Sequence, residues 1–562
     1  MIRALLLTVT IFFTLRLQAQ PTVATGGVLN VASYTRVGLP GGSIAQGSMF
    51  VVYGGNLGTT STGALSFPLQ TSMNGTSIKV TSGSTTVDAI MIYTTPGQVA
   101  AILPSSTPVG SATLTLTFNS QSSSAVPIQI VPSSFGAFTL NQAGSGPAVI
   151  QNYVSATELP VNTLTTPATP GQTVILWGTG LGPVSGDEAA APPTPNNMQS
   201  ALNVVVWVGT TPAQVTYAGR SGCCAAIDQI DFVVPPGVQG CYLPVSVEAG
   251  GVVSNFTSMA VEPSAGAGCS DADGIDSADL KTLQTAGSVR LGLVDLTHIS
   301  LTLVAGLAPV VSDTAYGIFG TYSAAQFTAS LGLTQSPAVG SCTVSQFKGL
   351  NPVPVDPIVP TLDDAGASLS ITGPNGTKAI ASSASAGVYA ATVGGVPLDQ
   401  ILTATPTPAY FVAGSYMVTG SGGSKVGSFS AQDTVPTDVT WTNSAAITTA
   451  GVDRTKDLTI TWTGGGQNEF VAISGTASFI TGGLGPGKDS PGNAFLCIAP
   501  ATAGSFTVPS WVLKTLPNTK GQIAASFLLV GTQTPVSKFS ATGLDDGYVV
   551  YRSLVGNGVP FE

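Results

Sequence analysis

A glycine-rich segment, VILWGTGLGPV at residues 174–184, is the first part of the sequence that could bind a ligand. Gly178, Gly180 and Gly182 follow an apolar run, and many phosphate-binding loops begin with a strand that leads into such a turn. A phosphate loop also needs the helix after it, because the first N–H groups of that helix hold the anion. Here GPVSGDEAAAPPTP follows, with prolines and with two acids that would repel phosphate. The sequence therefore predicts a structural turn.

An acidic segment at residues 269–280, CSDADGIDSADL, could supply oxygen ligands to calcium. Calcium loops place several carboxylates around a glycine at their sharp turn, here Gly274. The carboxylates are those of Asp271, Asp273, Asp276 and Asp279. With Gly274 at the sixth position of such a loop, however, the acid expected at the twelfth falls on Leu280. We therefore expect a linker, residues 263–289, that contains a short helix, and keep calcium binding as the alternative.

Six cysteines bear on both disulfides and metals. They are Cys223, Cys224, Cys241, Cys269, Cys342 and Cys497. Exported chains form disulfides, and an even number suits complete pairing. The first four allow three connectivities; because adjacent cysteines rarely bond to each other, we favour a bond from each of Cys223 and Cys224 to one of the next two. The pair Cys342–Cys497 would then close the C-terminal region. A zinc site is disfavoured, because CC lacks the C-x-x-C spacing.

Acid–base catalysis has few candidate residues. His298, the only histidine, lies in LVDLTHISLTL, which alternates like a strand, and no G-x-S-x-G elbow accompanies it. We expect a half-exposed residue of a sheet. The acid pairs Asp363-Asp364 and Asp545-Asp546 lie beside glycine in turn-like sequence, where acids usually bond their own backbone. The sequence therefore predicts no catalytic residue and no cofactor.

The segment that carries the glycine turn occurs twice. GSMFVVYGGNLGTT, beginning at Gly47, aligns without gaps with GQTVILWGTGLGPV, beginning at Gly171. The segments QVAAILP and QIDFVVP then follow in the same order, each before a terminal hairpin. A strand that alternates polar and apolar residues is typical of a two-sheet sandwich with one wet face. The repeat predicts two copies of one β module, at residues 25–135 and 136–262.

Composition extends the β prediction to the whole chain. Only 8% of residues are charged, and the 68 Gly and 39 Pro punctuate short β-branched runs. Segments such as DLTITWTGG predict a C-terminal β-sandwich domain at 290–562, with a split near residue 435 as the alternative. Three tryptophans in it could stack on sugars, but core packing is favoured. These are Trp441, Trp462 and Trp511. The predicted fold class is all-β, with tandem immunoglobulin-like β-sandwiches followed by a larger β-rich domain.

The N-terminus predicts export. Arg3, the apolar run ALLLTVTIFFTL and the small residue Ala19 form a signal peptide over residues 1–19. The destination would be the extracellular space or cell surface, with the periplasm as the alternative. A formal net charge of −10 argues against nucleic acid as a partner. No later run reaches the roughly 18 apolar residues of a membrane helix, so we expect no membrane insertion.

Three segments carry a family resemblance: LNVASY, VILWGTGLGPV and SGCCAAIDQIDFVVPPGVQGCYLPVSV. Together they resemble an acidobacterial secreted family known as the Solibacter uncharacterised C-terminal domain. The G-x-x-L-G turn and the closing GGVVSNFTSMAV are similar to the immunoglobulin-like IPT/TIG module. The resemblance covers residues 25–262. It implies an exported pair of β-sandwiches and supplies no established activity.

These observations predict an exported, non-enzymatic β-sandwich protein. It would be a surface, matrix, adhesion or spacer component, and its partners would be extracellular polysaccharide or other surface proteins. The alternative is a carbohydrate-binding or carbohydrate-cleaving protein whose active part is residues 290–562.

Overall fold

The computed structural model describes most of the chain. The described residues are 19–62, 66–191, 194–271, 286–303, 306–329, 336–347, 359–383, 385–400, 404–479, 490–522 and 524–562. The predicted signal peptide lies outside the described residues except for Ala19. Residues 272–285 of the linker, where we expect the short helix, also lie outside them. Among the described residues, no helix is long and apolar enough to cross a bilayer.

The first repeat forms a two-sheet sandwich, here called the first sandwich. Its strands are β1 (Thr22–Asn30), β2 (Ile44–Ala45), β3 (Met49–Gly55), β4 (Ser61–Thr62), β5 (Ser72–Met73), β6 (Thr76–Ser82), β7 (Thr85–Asp88), β8 (Ile90–Thr94), β9 (Gln98–Ile102), β10 (Gly110–Phe118), β11 (Gln121–Ser122) and β12 (Val126–Val131). One sheet has the order β1-β3-β9-β8-β4 and the other β2-β12-β10-β6-β5. Apolar residues from both sheets, such as Phe50 and Leu114, meet in one core. The alternation of the sequence positions this core, because every second residue of β10 faces inward.

The second repeat forms the second sandwich. Its elements are β13 (Gly136–Ala137), β14 (Ile150–Asn152), β15 (Thr173–Thr179), β16 (Asn196–Asn197), α1 (Gln199–Leu202), β17 (Val205–Val208), β18 (Thr211–Arg220), β19 (Asp228–Val233), β20 (Gly240–Ala249), β21 (Val252–Val253) and β22 (Thr257–Val261). Strand β18 pairs with β17 through its first residues and with β19 through the rest, so one strand joins the two layers. Apolar residues of β15, β17, β19 and β20 share the core between them.

The repeat seen in the sequence is a repeat of strand pairing. Strand β3 pairs antiparallel with β9, and Tyr53 stands opposite Gln98. The aligned strands β15 and β19 pair in the same way, with Trp177 opposite Gln229. Each copy therefore places the strand before the glycine turn against the strand that carries the aligned glutamine.

The C-terminal region is built on one continuous sheet. Its strands are β23 (Ser288–Thr302), β24 (Val310–Ser323), β25 (Ser341–Phe347), β26 (Thr361–Leu362), β27 (Ser368–Gly373), β28 (Gly376–Ser382), β29 (Val388–Gly395), β30 (Gly414–Gly420), β31 (Phe429–Val435), β32 (Thr440–Trp441), β33 (Leu458–Thr463), β34 (Phe470–Phe479), β35 (Gly492–Pro500), β36 (Ser505–Val508), β37 (Ala524–Gln533), β38 (Ser537–Phe539) and β39 (Asp546–Gly558). Its described helices are α2 (Ala324–Thr328), α3 (Ser444–Ala450) and α4 (Ser510–Leu513), with 3-10 turns at Leu398–Gln400 and Ala501–Ala503.

The alternative split near residue 435 does not interrupt this sheet. Fourteen strands from both sides of that position share it, in the path β25-β35-β34-β37-β39-β23-β24-β29-β28-β27-β30-β31 with β26 and β38 beside it. Strand β39 joins the halves, because it pairs with β23 on one side and β37 on the other. Two cores form, one rich in tyrosine and phenylalanine and one covered by the small sheet β32-β33-β36.

Candidate functional site

The glycine turn binds a carboxylate from its own module. The amides of Gly180 and Leu181 each donate a hydrogen bond of 2.7 Å to Oδ2 of Asp228, the first residue of β19. Gly180 has a φ of +107°, and a Cβ there would lie 2.3 Å from the carbonyl oxygen of Ser134. The prediction of a structural turn agrees with this geometry, and the anion that the turn holds is an internal side chain.

Arg220 completes this arrangement from the end of β18. Its Nε donates to Oδ1 of Asp228 at 2.9 Å, and both side chains are fully buried. Its Nη2 donates to the carbonyls of Gly47, at 3.0 Å, and Gly182, at 3.1 Å. Burial raises the pKa of Asp228, while the guanidinium and the two amides oppose that change. The ion pair therefore ties the first sandwich to the second, and we call this contact the first joint.

Further polar contacts surround the ion pair at the first joint. Glu188, which is 7% exposed, accepts hydrogen bonds from the amide and hydroxyl of Ser105. Asn30 donates through Nδ2 to the carbonyls of Ser134 and Thr179. A small apolar cluster lies beside them, in which Ala226 of the second sandwich packs on the first sandwich's Leu69, Ile90 and Ile102. Buried polar groups usually have such partners, because an unpaired one costs about 1–3 kcal/mol; among the described residues, Nη1 of Arg220 has none.

The second joint, between the second sandwich and the C-terminal region, is aromatic. Trp207 of β17 stacks on Trp511 of α4, with ring centroids 4.9 Å apart and planes 9° apart. Phe256 stacks on the same Trp511 ring at 5.6 Å. An ion pair between Lys514 and Glu248, at 3.0 Å, lies in the same contact with both groups partly exposed. Apolar area and ring stacking therefore hold this joint.

The three units surround a cleft of about 470 Å³, here called the three-way cleft. Its lining is mostly serine, threonine, asparagine, glutamine and aromatic residues, and Arg36 is the only charged residue among the described ones that line it. The Arg36 amide donates to Oε1 of Gln346 at 3.1 Å, which connects the first sandwich to β25. Asn493 is 4% exposed; its Nδ2 donates to the Thr515 carbonyl, and its Oδ1 has no partner within the described chain. The cleft therefore offers hydroxyl and amide groups and one cationic residue, while the unpartnered Oδ1 of Asn493 is buried beneath its surface.

His298 takes part in a buried contact instead of the half-exposed position that we expected. Its Nδ1 lies 2.5 Å from Oδ1 of Asp313, the residue opposite it on β24, and its side chain is 13% exposed. The Asp313 carboxylate also accepts hydrogen bonds from the amides of Tyr410 and Phe411. Ser553 stands beside His298 on β39, but its side chain is fully buried. His298 and Asp313 are therefore paired, whereas the Ser553 hydroxyl on the neighbouring strand is buried where no substrate can reach it, and we assign these residues a structural role.

The acid pairs of the sequence bond to nearby backbone and hydroxyl groups. Asp363 is 4% exposed and accepts from the Thr321 hydroxyl, and Asp545 accepts from the Arg290 amide. Amide hydrogen bonds from Ser424 and Gly366 lower the pKa of Asp364. Asp546 lies 3.9 Å from the Lys538 ammonium group. These contacts leave no pair of carboxyls facing each other at either position.

Of the four aspartates in the calcium hypothesis, the structure describes only Asp271. Oδ1 of Asp271 accepts from the Cys241 amide at 3.1 Å, and Asp273, Asp276 and Asp279 lie outside the described residues. Within the described ranges, no three His, Cys, Asp or Glu side chains are grouped so that they could hold a metal ion. Calcium binding stays a prediction.

The cysteine pairing differs from the one that we favoured. Cys241 bonds to Cys269, so neither is left for Cys223 and Cys224, which are exposed free thiols. The reason is position. The bonded pair packs against the C-terminal region, whereas the loop that carries Cys223 and Cys224, here called the CC loop, packs against the first sandwich at the opposite joint. Cys342 and Cys497 are bonded, and they stand opposite each other on β25 and β35.

The tryptophans of the C-terminal region lie where core packing places them. Trp462 and Trp511 are 3% and 5% exposed, and Trp441 packs half-buried against the same core. The expectation of core packing is confirmed. No sugar-stacking row of these three rings is available.

Comparison with known proteins identifies no family for this chain. No family model and no curated protein matches the sequence. Among solved structures, the chain is similar to immunoglobulin domains 1–4 of Sidekick-1, with 10% identity, a TM-score of 0.12, and coverage of 95% of this chain and 100% of that one. Domains 5–6 of the S-layer protein SbsC match at 16% identity and a TM-score of 0.18, over 43% and 99% of the two chains. The plexin A4 extracellular region matches at 13% and 0.16, over 42% of this chain and 17% of that one. Scores this low carry no argument, but the strands and sheets themselves define an all-β chain of tandem immunoglobulin-like β-sandwiches followed by a larger β-rich region.

Proposed function

We propose that this chain is an exported, non-enzymatic structural protein that serves at the cell surface or in the extracellular matrix, as an adhesion component or a spacer. One observation carries the proposal: buried charged and aromatic side chains, which could otherwise serve a binding or reactive site, hold the three units together. Arg220, Asp228 and Glu188 are buried at the first joint, and Trp207 and Trp511 are stacked at the second. A surface component needs fixed geometry between modules more than it needs an open reactive centre.

The proposal includes the family and the export route. We propose that residues 25–262 belong with the acidobacterial secreted proteins that they resemble, and that residues 1–19 are removed on export. Two disulfides within the chain support an oxidising destination. The test is expression of residues 1–562 in a bacterium, followed by fractionation and sequencing of the N-terminus. We expect the chain outside the cytoplasm, beginning at Gln20; a cytoplasmic chain that begins at Met1 would refute export.

The spacer role is tested by scattering in solution. Small-angle X-ray scattering of the chain from residue 20 onward should fit a single arrangement of the three units. The double variant Arg220→Ala/Trp207→Ala should instead need a broad ensemble, while Lys79→Ala, at an exposed ion pair of the first sandwich, should scatter like the parent chain. A parent profile that already needs a broad ensemble would contradict a spacer of fixed geometry.

A second candidate function, carbohydrate binding without cleavage, is favoured by the three-way cleft. Its lining of hydroxyl and amide groups suits sugar hydroxyls, and Arg36 adds a cation. Cleavage is disfavoured because glycosidases need two carboxyls, and the described lining residues include neither Asp nor Glu. A glycan array probed with the full chain, with Arg36→Ala and with exposed control Lys456→Ala tests it. Binding lost only in Arg36→Ala would support this function, and no binding would leave the structural role alone.

A further inference from the structure

The CC loop presents a chemical contradiction. Cys223 and Cys224 are exposed free thiols, whereas the other four cysteines are joined in two disulfides. A compartment that maintains those bonds also oxidises accessible thiols. Every other cysteine already has its partner, so the only thiol within the chain left for Cys223 is that of its neighbour.

The CC loop carries the two thiols on adjacent residues and holds its own ends together. The Cys223 sulfur lies 3.3 Å from the Ser221 hydroxyl oxygen, and the Ser221 amide donates to the Ile227 carbonyl. Partial burial raises the pKa of Cys224 to about 11, and the adjacent Cys223 thiol adds to that effect. A thiol of high pKa is a slow nucleophile, so attack should begin at Cys223.

We propose that Cys223 and Cys224 are a reversible redox site that closes to a vicinal disulfide. The Cys223 thiolate attacks an external low-molecular-weight disulfide and releases one thiol, forming a mixed disulfide. The Cys224 sulfur then attacks the Cys223 sulfur, forms the Cys223–Cys224 bond and releases the second thiol. The protein loses two hydrogens and two electrons, and the external disulfide gains them as two thiols.

Adjacent residues make this bond easy to reduce. Consecutive Cα atoms lie about 3.8 Å apart, below the usual span of about 4.4–6.8 Å for bonded cysteines. Strained and exposed disulfides have more oxidising potentials and are the labile ones. The site would therefore exchange with its surroundings under conditions in which Cys241–Cys269 and Cys342–Cys497 stay closed.

The first joint would respond to the state of this site. Ala226, two residues after Cys224, is fully buried against the first sandwich and has a φ of +57°. Its carbonyl accepts from the Thr179 hydroxyl, which in turn accepts from the Met49 amide of the first sandwich. Ring closure restricts the backbone directly before this contact, so oxidation changes how the loop is held on its neighbour.

Mass spectrometry of the exported full chain tests the proposal. The chain is purified without reductant, treated with iodoacetamide in denaturant, and digested. We expect the peptide with Cys223 and Cys224 to be unalkylated and lighter than the dithiol by two hydrogens. Redox titration with glutathione should then open this pair first, leaving both other disulfides closed. Alkylation of both thiols in the untreated exported chain would overturn the proposal, as would a disulfide from either residue to another molecule.

Hydrogen exchange tests the coupling to the joint. Exchange at amides 225–228 should differ between the oxidised and mildly reduced full chain, and the difference should vanish in Cys223→Ser/Cys224→Ser. The single variant Cys223→Ser leaves one thiol and should be alkylated fully in the untreated chain or carry a small-molecule thiol. Equal exchange in both redox states of the parent chain would refute the coupling while leaving the mass result to decide the bond.

Discussion

The first joint is centred on a buried ion pair, whereas the second is centred on stacked aromatic rings. Arg220 and Asp228 are fully buried and hydrogen-bonded to backbone on both sides of their contact. Trp207 and Trp511 stack with ring centroids 4.9 Å apart, and the ion pair beside them, Lys514–Glu248, is partly exposed. Both joints connect a β-sandwich to its neighbour, yet they place different demands on the residues that form them.

The two joints differ in how strictly they fix the orientation of the units more than in how strongly they hold them. The ion pair is directional, because Asp228 accepts from Arg220 and from two amides in one orientation, and loss of one partner leaves a buried charge uncompensated. The apolar burial of the stacked rings is non-directional by comparison. We therefore expect the first joint to fail abruptly when one partner is removed and the second to weaken gradually.

The largest effect is expected from Arg220→Ala. The change leaves the Asp228 carboxylate buried without its cation, which costs about 3–5 kcal/mol of unfolding free energy. This loss of unfolding free energy is measured by urea unfolding, with amide hydrogen exchange at the first joint as the probe. Lys79→Ala serves as the control, because Lys79 and Asp88 are mostly exposed, and we expect a change of about 0.5 kcal/mol or less.

The pair is further tested by replacing both partners. Arg220→Met/Asp228→Leu removes both charges, so it should destabilise the chain less than Arg220→Ala does. A double variant that is less stable than the single one would show that the amides of Gly180 and Leu181 depend on the carboxylate more than the ion pair does.

Trp207→Ala should weaken the second joint by less, about 2–3 kcal/mol from lost apolar area and stacking. Trp207→Phe keeps a ring against Trp511 and should recover most of that loss. Urea unfolding monitored at the C-terminal region provides the measurement. If Phe were as damaging as Ala, the gradual response that we assign to this joint would be wrong.

A buried acid without a cation sharpens the contrast with Asp228. Asp433 accepts hydrogen bonds from the Thr534 hydroxyl and the Thr434 amide, and no basic side chain pairs with it in the described part of the chain. Burial raises its pKa to about 6. The folded carboxyl therefore binds a proton below about pH 6, but the unfolded one only below about pH 4. Its contribution to stability is present at pH 4 and is lost as the pH rises to 6.

A pKa raised from 3.8 to about 6 corresponds to about 3 kcal/mol of stability at low pH, and Asp433→Asn should abolish this pH dependence because its amide does not titrate. The measurement is the unfolding free energy of both chains from pH 4 to pH 7. The parent chain should lose stability relative to the variant across the interval between pH 4 and 6. Parallel curves would mean that the folded carboxyl titrates like an unfolded one.

The sequence predicted the parts of the fold that depend on local pattern. Alternation and the repeated segment identified the strands that carry Tyr53 opposite Gln98 and Trp177 opposite Gln229. The hairpin between β27 and β28 turns at Pro374 and Asn375, with Gly373 opposite Gly376. In each case the signal lies within a few residues, where turn chemistry and side-chain period act directly.

The two joints could not be predicted from the sequence, because they form only when separately folded units pack against each other. Arg220 bonds to the carbonyl of Gly47, which is 173 residues away, and no periodicity relates the two. The sequence signal was the acid Asp228 at the start of a repeated strand, and the first copy lacks it because Gly97 occupies the aligned position before Gln98. The cysteine pairing was wrong for the same reason, since only the docked units show which cysteines face each other.

The smallest loss of unfolding free energy is expected from Lys514→Ala. This variant tests whether apolar burial, and not the Lys514–Glu248 ion pair, stabilises the second joint. Lys514 and Glu248 lie 3.0 Å apart, but their side chains are 39% and 18% exposed, so water and salt screen their attraction. The variant should lose about 0.5 kcal/mol or less, and the loss should shrink further as salt is added. Trp207→Ala measured in the same salt series should show no such decline, because stacking and apolar burial do not depend on screening. A loss from Lys514→Ala comparable to that from Trp207→Ala would instead make both joints ionic, and the contrast between them would rest on burial alone.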